Sequence, residues 1–175
     1  YTKAPKVRLY LNDKLIAERD VNIDTQYKAV IKLPYQPGTL KAVSVDANGK
    51  EMAESTLRTS SEPATIRLTP DRKLINADGQ DLAFIMVDVV DKDGNIVADA
   101  DIPVTVSVKG RATLLAAASA NLKDLEPKTS PKVTTYKGKA IIVVRSGRKA
   151  GKAVISASMP KENGSKSTSL TIICK

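Results

Sequence analysis

The sequence predicts an all-β chain made of two immunoglobulin-like β-sandwich domains in tandem. Apolar residues alternate with polar ones in short runs, which is typical of half-buried strands and not of helices. Asn-Gly and Asp-Gly pairs, which favour tight turns, separate several of these runs. The length of 175 residues allows one large core or two small ones, and seven or so short strands over ~100 residues suit an immunoglobulin-type sandwich.

The first domain is predicted over residues 1–62. Its alternating runs share a period of two residues and predict strands at 7–11, 15–17, 27–33 and 39–45. Asn12-Asp13 and Asn48-Gly49 predict the hairpin turns between them. So few strands are marginal for an independent sandwich, and we therefore expect an edge strand upstream of residue 1.

The second domain is predicted over residues 63–175, because the pattern breaks at Ser60-Ser61-Glu62-Pro63. Strands are predicted at 64–68, 82–90, 102–108, 140–144, 153–158 and 167–173. Turns are predicted at Asp78-Gly79, Asp93-Gly94 and Asn163-Gly164. Residues 118–136 have no strand prediction and contain two prolines, so we expect an ordered excursion there.

Histidine is absent from the chain, which excludes Ser-His-Asp and Cys-His nucleophile systems and His metal ligands. The single cysteine, Cys174, cannot form an internal disulfide and is interpreted as an incidental thiol. We therefore predict no catalytic residue, no cofactor site and no metal site in this chain.

An acidic cluster is the candidate that comes nearest to a metal site; it comprises Asp88, Asp91, Asp93, Asp99 and Asp101. The segment DKDGN at 91–95 superficially resembles a calcium loop. However, its glycine lies at the fourth place instead of the sixth, and the twelfth position is Ile102. A solvated Asp-Gly hairpin is the preferred interpretation, with weak calcium binding over 88–101 left open.

Paired carboxylates for sugar hydrolysis are the other chemistry to consider. A glycosidase needs two carboxyl groups ~5 to 9.5 Å apart in a substrate cleft. The glutamates lie mostly in turns or at polar strand positions, at 18, 51, 54, 62, 126 and 162. The sequence therefore predicts no catalysis by this chain.

Charge is unevenly distributed, with residues 63–101 carrying 4 basic and 8 acidic side chains and residues 102–175 carrying 14 and 3. In an interleaved sandwich the two blocks partly neutralise each other. Five tyrosines, one phenylalanine and no tryptophan leave few platforms for stacking nucleobases. We expect no nucleic-acid partner, and no membrane insertion, because no apolar run approaches ~20 residues.

Several long segments resemble one family. VRLYLNDKLIAE at 7–18, LPYQPGTLKAV at 33–43, DANGKE at 46–51 and LTPDR at 68–72 resemble the accessory β-sandwich region that follows the catalytic barrel in Bacteroides-type family 2 glycoside hydrolases. Residues 77–110 and 121–158 are similar to the next, bacterial immunoglobulin-like domain of those enzymes. Asp13 stands where the family usually has Gly, and Ser119 to Leu122 replace an Asn-Gly-x-Pro loop of many relatives.

The resemblance implies non-catalytic accessory domains of a periplasmic or extracellular enzyme, with β-galactosidase as the expected parent activity and β-glucuronidase or β-mannosidase behind it. Their expected partners are the catalytic barrel and other domains of the same polypeptide, with glycan as a candidate ligand. The alternative is a carbohydrate-binding or adhesin-like immunoglobulin-fold module, because the second domain also resembles invasin-like repeats. Only the tyrosines of strands and turns could stack sugars in such a module, at 10, 27, 35 and 136.

Overall fold

The structure is a computed structural model that describes residues 1–160 and 167–175. Within those residues it contains β-strands and turns and no helix, so the all-β prediction is confirmed. The chain divides into two compact units, Tyr1–Thr59 and Ser60–Lys175. The turn predicted at Asn163-Gly164 lies outside the described residues.

The first unit contains one antiparallel sheet of four strands in the order β2-β1-β3-β4. The strands are β1 Lys6–Leu11, β2 Lys14–Asp20, β3 Thr39–Val45 and β4 Glu51–Arg58. Asn12 and Asp13 both have positive φ, at 50° and 64°, which is the backbone of the tight hairpin turn that their sequence predicts. Gly49 has a φ of 81° in the turn between β3 and β4.

The strand predicted over residues 27–33 is wrong, because the described structure has no strand there. Gln26 and Tyr27 have φ values of 54° and 55°, which interrupt the extended backbone before the run can begin. The apolar side chains of Val30 and Leu33 remain exposed, so no buried face holds this segment against a sheet. The alternation in its sequence therefore does not reflect alternate burial.

The second unit contains two sheets, and its strands meet in a shared core. One sheet has the order β10-β8-β12-β13-β6 and the other β5-β7-β11-β9. The strands are β5 Thr65–Pro70, β6 Leu74–Ile75, β7 Leu82–Val90, β8 Pro103–Gly110, β9 Ala112–Ala118, β10 Lys132–Thr134, β11 Lys139–Ser146, β12 Gly151–Ser158 and β13 Ser167–Cys174.

Alternate residues of the long strands fill the core of the second unit. Ile85 and Ile142 come from the four-stranded sheet, and Val104, Ile155 and Ile172 come from the five-stranded sheet; all are fully buried. Period-two burial is what a sandwich requires, because each strand has one face toward the opposite sheet. The predicted strands at 82–90, 140–144, 153–158 and 167–173 are thereby confirmed.

Three strands of the second unit were not predicted. β6 has only two residues, and it pairs in parallel with β13. β9 reads ATLLAAA, a composition that favours helix, yet it pairs with β11. β10 lies inside the excursion predicted at 118–136 and pairs with β8. Tertiary pairing, which local sequence does not encode, decides all three.

Candidate functional site

Two acidic residues of the 88–101 region, Asp88 and Asp91, are buried and hydrogen-bonded within the second unit. Asp88 is buried on β7 between two cross-strand neighbours, Arg67 on β5 and Lys139 on β11. Its Oδ2 accepts hydrogen bonds from Arg67 Nε at 3.3 Å and Nη2 at 3.0 Å, and its Oδ1 accepts one from Lys139 Nζ at 2.8 Å. Because both oxygens of this carboxylate have cationic partners, Asp88 joins three strands of one sheet.

Asp91 organises the turn that follows β7. Its side chain accepts hydrogen bonds from the backbone N–H of Ser61, Asp93 and Asn95 at 3.0, 3.0 and 2.8 Å, and from Asn95 Nδ2 at 3.1 Å. The residue is only 2% exposed. The Ser61 amide, followed by the donors of Asn95 and Asp93, lowers the pKa of Asp91 to about 2 against the cost of burial. The hydrogen bonds to this ionised carboxylate therefore stabilise the Asp-Gly turn.

The remaining acidic side chains of this region do not converge on one point. Asp101 accepts a hydrogen bond from the backbone N–H of Lys137 at 2.8 Å, while Asp93 and Asp99 are exposed. Across residues 1–160 and 167–175, no group of three or more His, Cys, Asp or Glu side chains is arranged to hold a metal ion. The described residues 91–95 form the predicted hairpin turn, in which Gly94 N–H donates to the Asp91 carbonyl at 3.1 Å.

Three of the described glutamates make contacts within the fold. Glu18 on β2 accepts hydrogen bonds from Arg8 Nε at 2.7 Å and Lys6 Nζ at 3.0 Å, and these two partners lower its pKa. Glu126 accepts from the backbone N–H and the hydroxyl of Thr134 at 2.8 and 2.7 Å. Glu54 lies 3.9 Å from Lys41 Nζ. Glu162 lies outside the described residues.

The four candidate tyrosines differ in exposure and surroundings. Tyr35 is 79% exposed on the turn before β3, and Tyr27 is exposed in the preceding loop. Tyr10 and Tyr136 are half-buried, and each ring has a lysine Nζ 5.5 Å from its centroid. A lysine over the ring face competes with a sugar for the same surface. Tyr35 is consequently the most accessible of the four rings.

The proline-rich turn before β3 is fixed by side chains from two other parts of the first unit. Asn12 Oδ1 accepts a hydrogen bond from Thr39 N–H at 2.8 Å, and Asn12 Nδ2 donates to the Pro37 carbonyl at 3.3 Å. Gly38 N–H donates to Thr59 Oγ1 at 2.9 Å. The φ of Gly38 is 135°, and a Cβ there would overlap the Asn12 amide, so this position requires glycine. The turn is therefore hydrogen-bonded both to the hairpin after β1 and to the residue that follows β4.

A cleft of about 410 Å³ lies beside the end of β2 in the first unit. Its lining carries both signs of charge, with Arg19, Asp20, Asp24 and Lys28. The loop that forms one wall is held by reciprocal hydrogen bonds between Asn22 and Thr25. Sequence reasoning did not identify this cleft. Three of its lining residues, 28–30, lie in the segment 27–33 that was predicted as strand, and the others lie at the end of β2 and in the loop after it.

Two leucines were also missed. Leu122 and Leu125 lie in the loop between β9 and β10 and are 101% and 96% exposed. The only sequence signal was the length of the stretch at 118–136, which indicated an ordered excursion but not its apolar tip.

Cys174 is buried on β13, and its Sγ lies 3.3 Å from the carbonyl oxygen of Arg111. Burial raises the pKa of its thiol, so the reactive thiolate is disfavoured. Over residues 1–160 and 167–175, the chain forms no helix of the length and apolarity that a membrane span requires.

Comparison with known families identifies the chain. Residues 66–168 match the family described as glycoside hydrolase family 2 C-terminal domain 5. The chain belongs to this family. Residues 1–53 match a domain of unknown function, DUF4982. The resemblance to a family 2 glycoside hydrolase C-terminal region is therefore confirmed.

Two curated relatives of this family 2 C-terminal region are β-galactosidases. The chain is 34% identical over 157 residues to β-galactosidase BoGH2A of Bacteroides ovatus, which covers 90% of this chain and 18% of that protein. It is 28% identical over 171 residues to a β-galactosidase of Thermoanaerobacter pseudethanolicus, of which it covers 21%. The chain thus spans about a fifth of the length of these relatives.

Solved structures agree with the fold. A glycosyl hydrolase family 2 member from Bacteroides cellulosilyticus matches 98% of this chain with a TM-score of 0.89 and 32% identity, and the match covers 22% of that structure. A family 2 β-glucuronidase matches 99% of this chain with a TM-score of 0.80 and 26% identity, over 18% of its own length. The β-sandwich fold predicted from the sequence is shared with these family 2 enzymes.

Proposed function

We propose that this chain is a non-catalytic accessory region of a longer family 2 glycoside hydrolase whose activity is that of a β-galactosidase. The observation that carries this proposal is the match to β-galactosidase BoGH2A, which extends over 90% of this chain but only 18% of that protein. A region of this size can be one part of such an enzyme, but it is too short for a catalytic barrel of ~250 residues.

The use of the carboxylates supports a structural role. Asp88 and Asp91, the buried acids of the described chain, are saturated by ion pairs and backbone donors. Glu18 and Glu126 likewise hold partners within their own units. A glycosidase acid must instead face a substrate cleft and exchange a proton there. These four carboxylates stabilise the fold through their hydrogen bonds, so they are not free to exchange a proton with a substrate.

In this role the chain packs beside the catalytic barrel and sets the geometry between domains or subunits during carbohydrate degradation. The other domains of the same polypeptide are its partners. A periplasmic or extracellular location in a bacterium is part of the proposal, as the resemblance to Bacteroides-type family 2 enzymes implies.

Turnover assays test the proposal directly. The 175-residue chain is incubated with aryl-β-galactosides, aryl-β-glucuronides and aryl-β-mannosides, beside the full-length protein that contains it. We expect no hydrolysis by the chain and hydrolysis of the galactoside by the full-length protein. Hydrolysis by the chain that disappears on a Glu→Gln change would contradict the non-catalytic role, and preference for another sugar would contradict the parent activity.

A carbohydrate-binding module is the second candidate, and the accessible ring of Tyr35 is the observation that favours it. Sugar-binding sites use exposed aromatic faces for stacking. One isolated ring, however, offers a small part of the surface that such a site needs.

A further inference from the structure

The loop of residues 119–131, which joins β9 to β10, holds two leucines in solvent. Leu122 and Leu125 are 101% and 96% exposed. Single exposed apolar residues are ordinary on protein surfaces. Two fully exposed leucines three residues apart are unusual when the backbone that carries them is ordered, because a rigid loop cannot fold them under.

The loop is ordered by its own polar groups. Asn121 Oδ1 accepts a hydrogen bond from Lys123 N–H at 3.0 Å, and its backbone carbonyl accepts from Asp124 N–H at 3.1 Å. Asp124 then accepts from Glu126 N–H at 2.7 Å and from Lys128 Nζ. These bonds lower the pKa of Asp124. The segment that carries both leucines is therefore fixed at each turn.

The loop is also tied to the second unit at several points. Ala117 N–H donates to the Lys128 carbonyl at 2.7 Å, and Val106 N–H donates to the Pro131 carbonyl at 2.7 Å. Glu126 accepts two hydrogen bonds from Thr134 on β10. Both leucines are therefore exposed on a loop that hydrogen bonds hold against the second unit.

We propose that Leu122 and Leu125 form a docking contact with another domain of the same family 2 polypeptide, outside these 175 residues. This inference rests on the proposed function, and it names the part of the surface that meets the rest of the enzyme. The observation that supports a partner in the same polypeptide is the length of the relatives. The B. cellulosilyticus family 2 structure matches 98% of this chain, but the match covers only 22% of that structure.

The size of the contact favours an intramolecular partner. Two leucine side chains provide far less area than the ~1,200 Å² of a stable complex between separate proteins. Interfaces between domains of one chain can be as small as ~600 Å², because covalent connection raises the effective concentration of the partner, to the millimolar range for short linkers. A second copy of the chain would have to supply the missing area elsewhere.

Charge does not favour a membrane surface. The loop combines Lys123 and Lys128 with Asp124 and Glu126, so its local charge is balanced. Anionic lipid surfaces are recognised by clusters of several basic residues. Two apolar side chains surrounded by polar residues of balanced charge resemble a protein–protein contact more than a membrane-binding surface.

Hydroxyl-radical footprinting tests the docking contact, because it reports the solvent accessibility of individual leucine side chains. The 175-residue chain and the full-length protein are labelled in parallel at several protein concentrations. We expect several-fold lower labelling of Leu122 and Leu125 in the full-length protein. Leu74, which is exposed on β6 of the same unit, is the internal reference.

A double variant, Leu122→Ser with Leu125→Ser, provides the second measurement. We expect it to lower the thermal midpoint of the full-length protein and to leave that of the 175-residue chain unchanged, because its side chains are already in water in the chain. Lys123→Ser, a change of an exposed residue in the same loop, is the matched control and should alter neither midpoint.

Each outcome decides the proposal. Equal labelling of both leucines in the two proteins would overturn it, whether or not the full-length protein hydrolyses galactosides. Protection in the isolated chain that grows with its concentration would identify a second copy as the occupant, and protection by anionic vesicles a membrane; either would overturn it. Protection in a full-length protein that lacks glycosidase activity would support the docking contact while refuting the proposed function.

Discussion

A single carboxylate, Asp91, connects the start of the second unit to the turn after β7. Its partners include Ser61, thirty residues earlier in the chain, and Asn95, four residues later. Sequence alone places Asp91 in an Asp-Gly turn, but it cannot supply the partner at Ser61, because that contact depends on how β5 and β7 pair. Local hydrogen bonding by Asp is predictable, whereas distant hydrogen bonding is not.

Asp91→Asn should destabilise the second unit in a pH-dependent way. The pKa of Asp91 is about 2 in the folded chain, below the ~3.9 of an unfolded aspartate. Its ionised form therefore stabilises the fold above pH ~4, and this contribution is lost as the pH falls toward 2. Urea unfolding at pH 7, 4, 3 and 2 would measure the free energy of unfolding of both proteins. The difference between wild type and variant should decrease from pH 4 to pH 2. Asp99→Asn, which removes an exposed carboxylate, is the control, and a pH-independent difference would contradict the assignment.

Asn12→Ala should destabilise the first unit by about 1 kcal/mol, since it removes the hydrogen bond to Thr39 N–H and places alanine at positive φ. Asp13→Gly is the matched change at the next residue, where φ is 64° and the side chain makes no hydrogen bond within the described turn. We expect it to be neutral or slightly stabilising, because glycine adopts this φ without strain. Urea unfolding followed by circular dichroism would measure both, and equal losses would argue against the Asn12 contact.

At the scale of the strand, burial decided which predictions succeeded. β7 and β11 are rich in apolar residues and bury at least every second residue, and their positions were predicted from sequence. β9 has the composition of a helix, and it becomes a strand because the edge of β11 is open to pair with it. Residues 27–33 have the pattern of a strand and no partner. Pattern predicts a strand only where a neighbouring strand is available.

The candidate sites could likewise be predicted only where local sequence determines them. The acidic cluster could be found by inspection, since aspartates close in sequence are visible there. The pairing of Asp88 with Lys139 joins residues 51 positions apart, and it depends on the register of β7 and β11. The exposure of Leu122 and Leu125 could not be predicted, because local sequence does not report what fails to cover a leucine.

Ile142→Ala on β11 should reduce the stability of the second unit by about 2–5 kcal/mol, because it leaves a cavity between the two sheets. Ile141→Ala on the opposite face of the same strand is the control. That residue is half-buried, so its loss should be clearly smaller. Thermal and urea unfolding of the two variants would test this, and similar losses would place the core on the wrong face of β11.

For the chain as a whole, opposite charges meet across the second unit. The sequence has an acidic block at 63–101 and a basic block after it. Asp88 from the acidic block binds Lys139 from the basic block, as interleaved strands allow. The excess of positive charge is therefore partly used within the fold and is a poor guide to an acidic partner.

Simple oligosaccharides should bind the 175-residue chain more weakly than ~1 mM, which corresponds to less than ~4 kcal/mol of binding free energy. The reason is the shortage of accessible aromatic surface, with Tyr35 the most exposed of the four candidate rings. Calorimetric titration with galacto- and gluco-oligosaccharides would measure this. A saturable micromolar isotherm that is lost in Tyr35→Ala, but kept in Tyr136→Ala, would establish a binding module instead.

The place of β13 in its sheet has a consequence for biosynthesis. This strand lies between β12 and β6, brings Ile172 and Cys174 into the core, and pairs with residues 74–75 about a hundred positions earlier. While the chain emerges from the ribosome, the five-stranded sheet lacks an inner strand until residues 167–174 are made. The edge of β12 is unpaired for that interval, when nascent chains are most prone to associate wrongly. The five-stranded sheet is therefore complete only once residues 167–174 have been made, and the time until their delivery governs how long that edge is open.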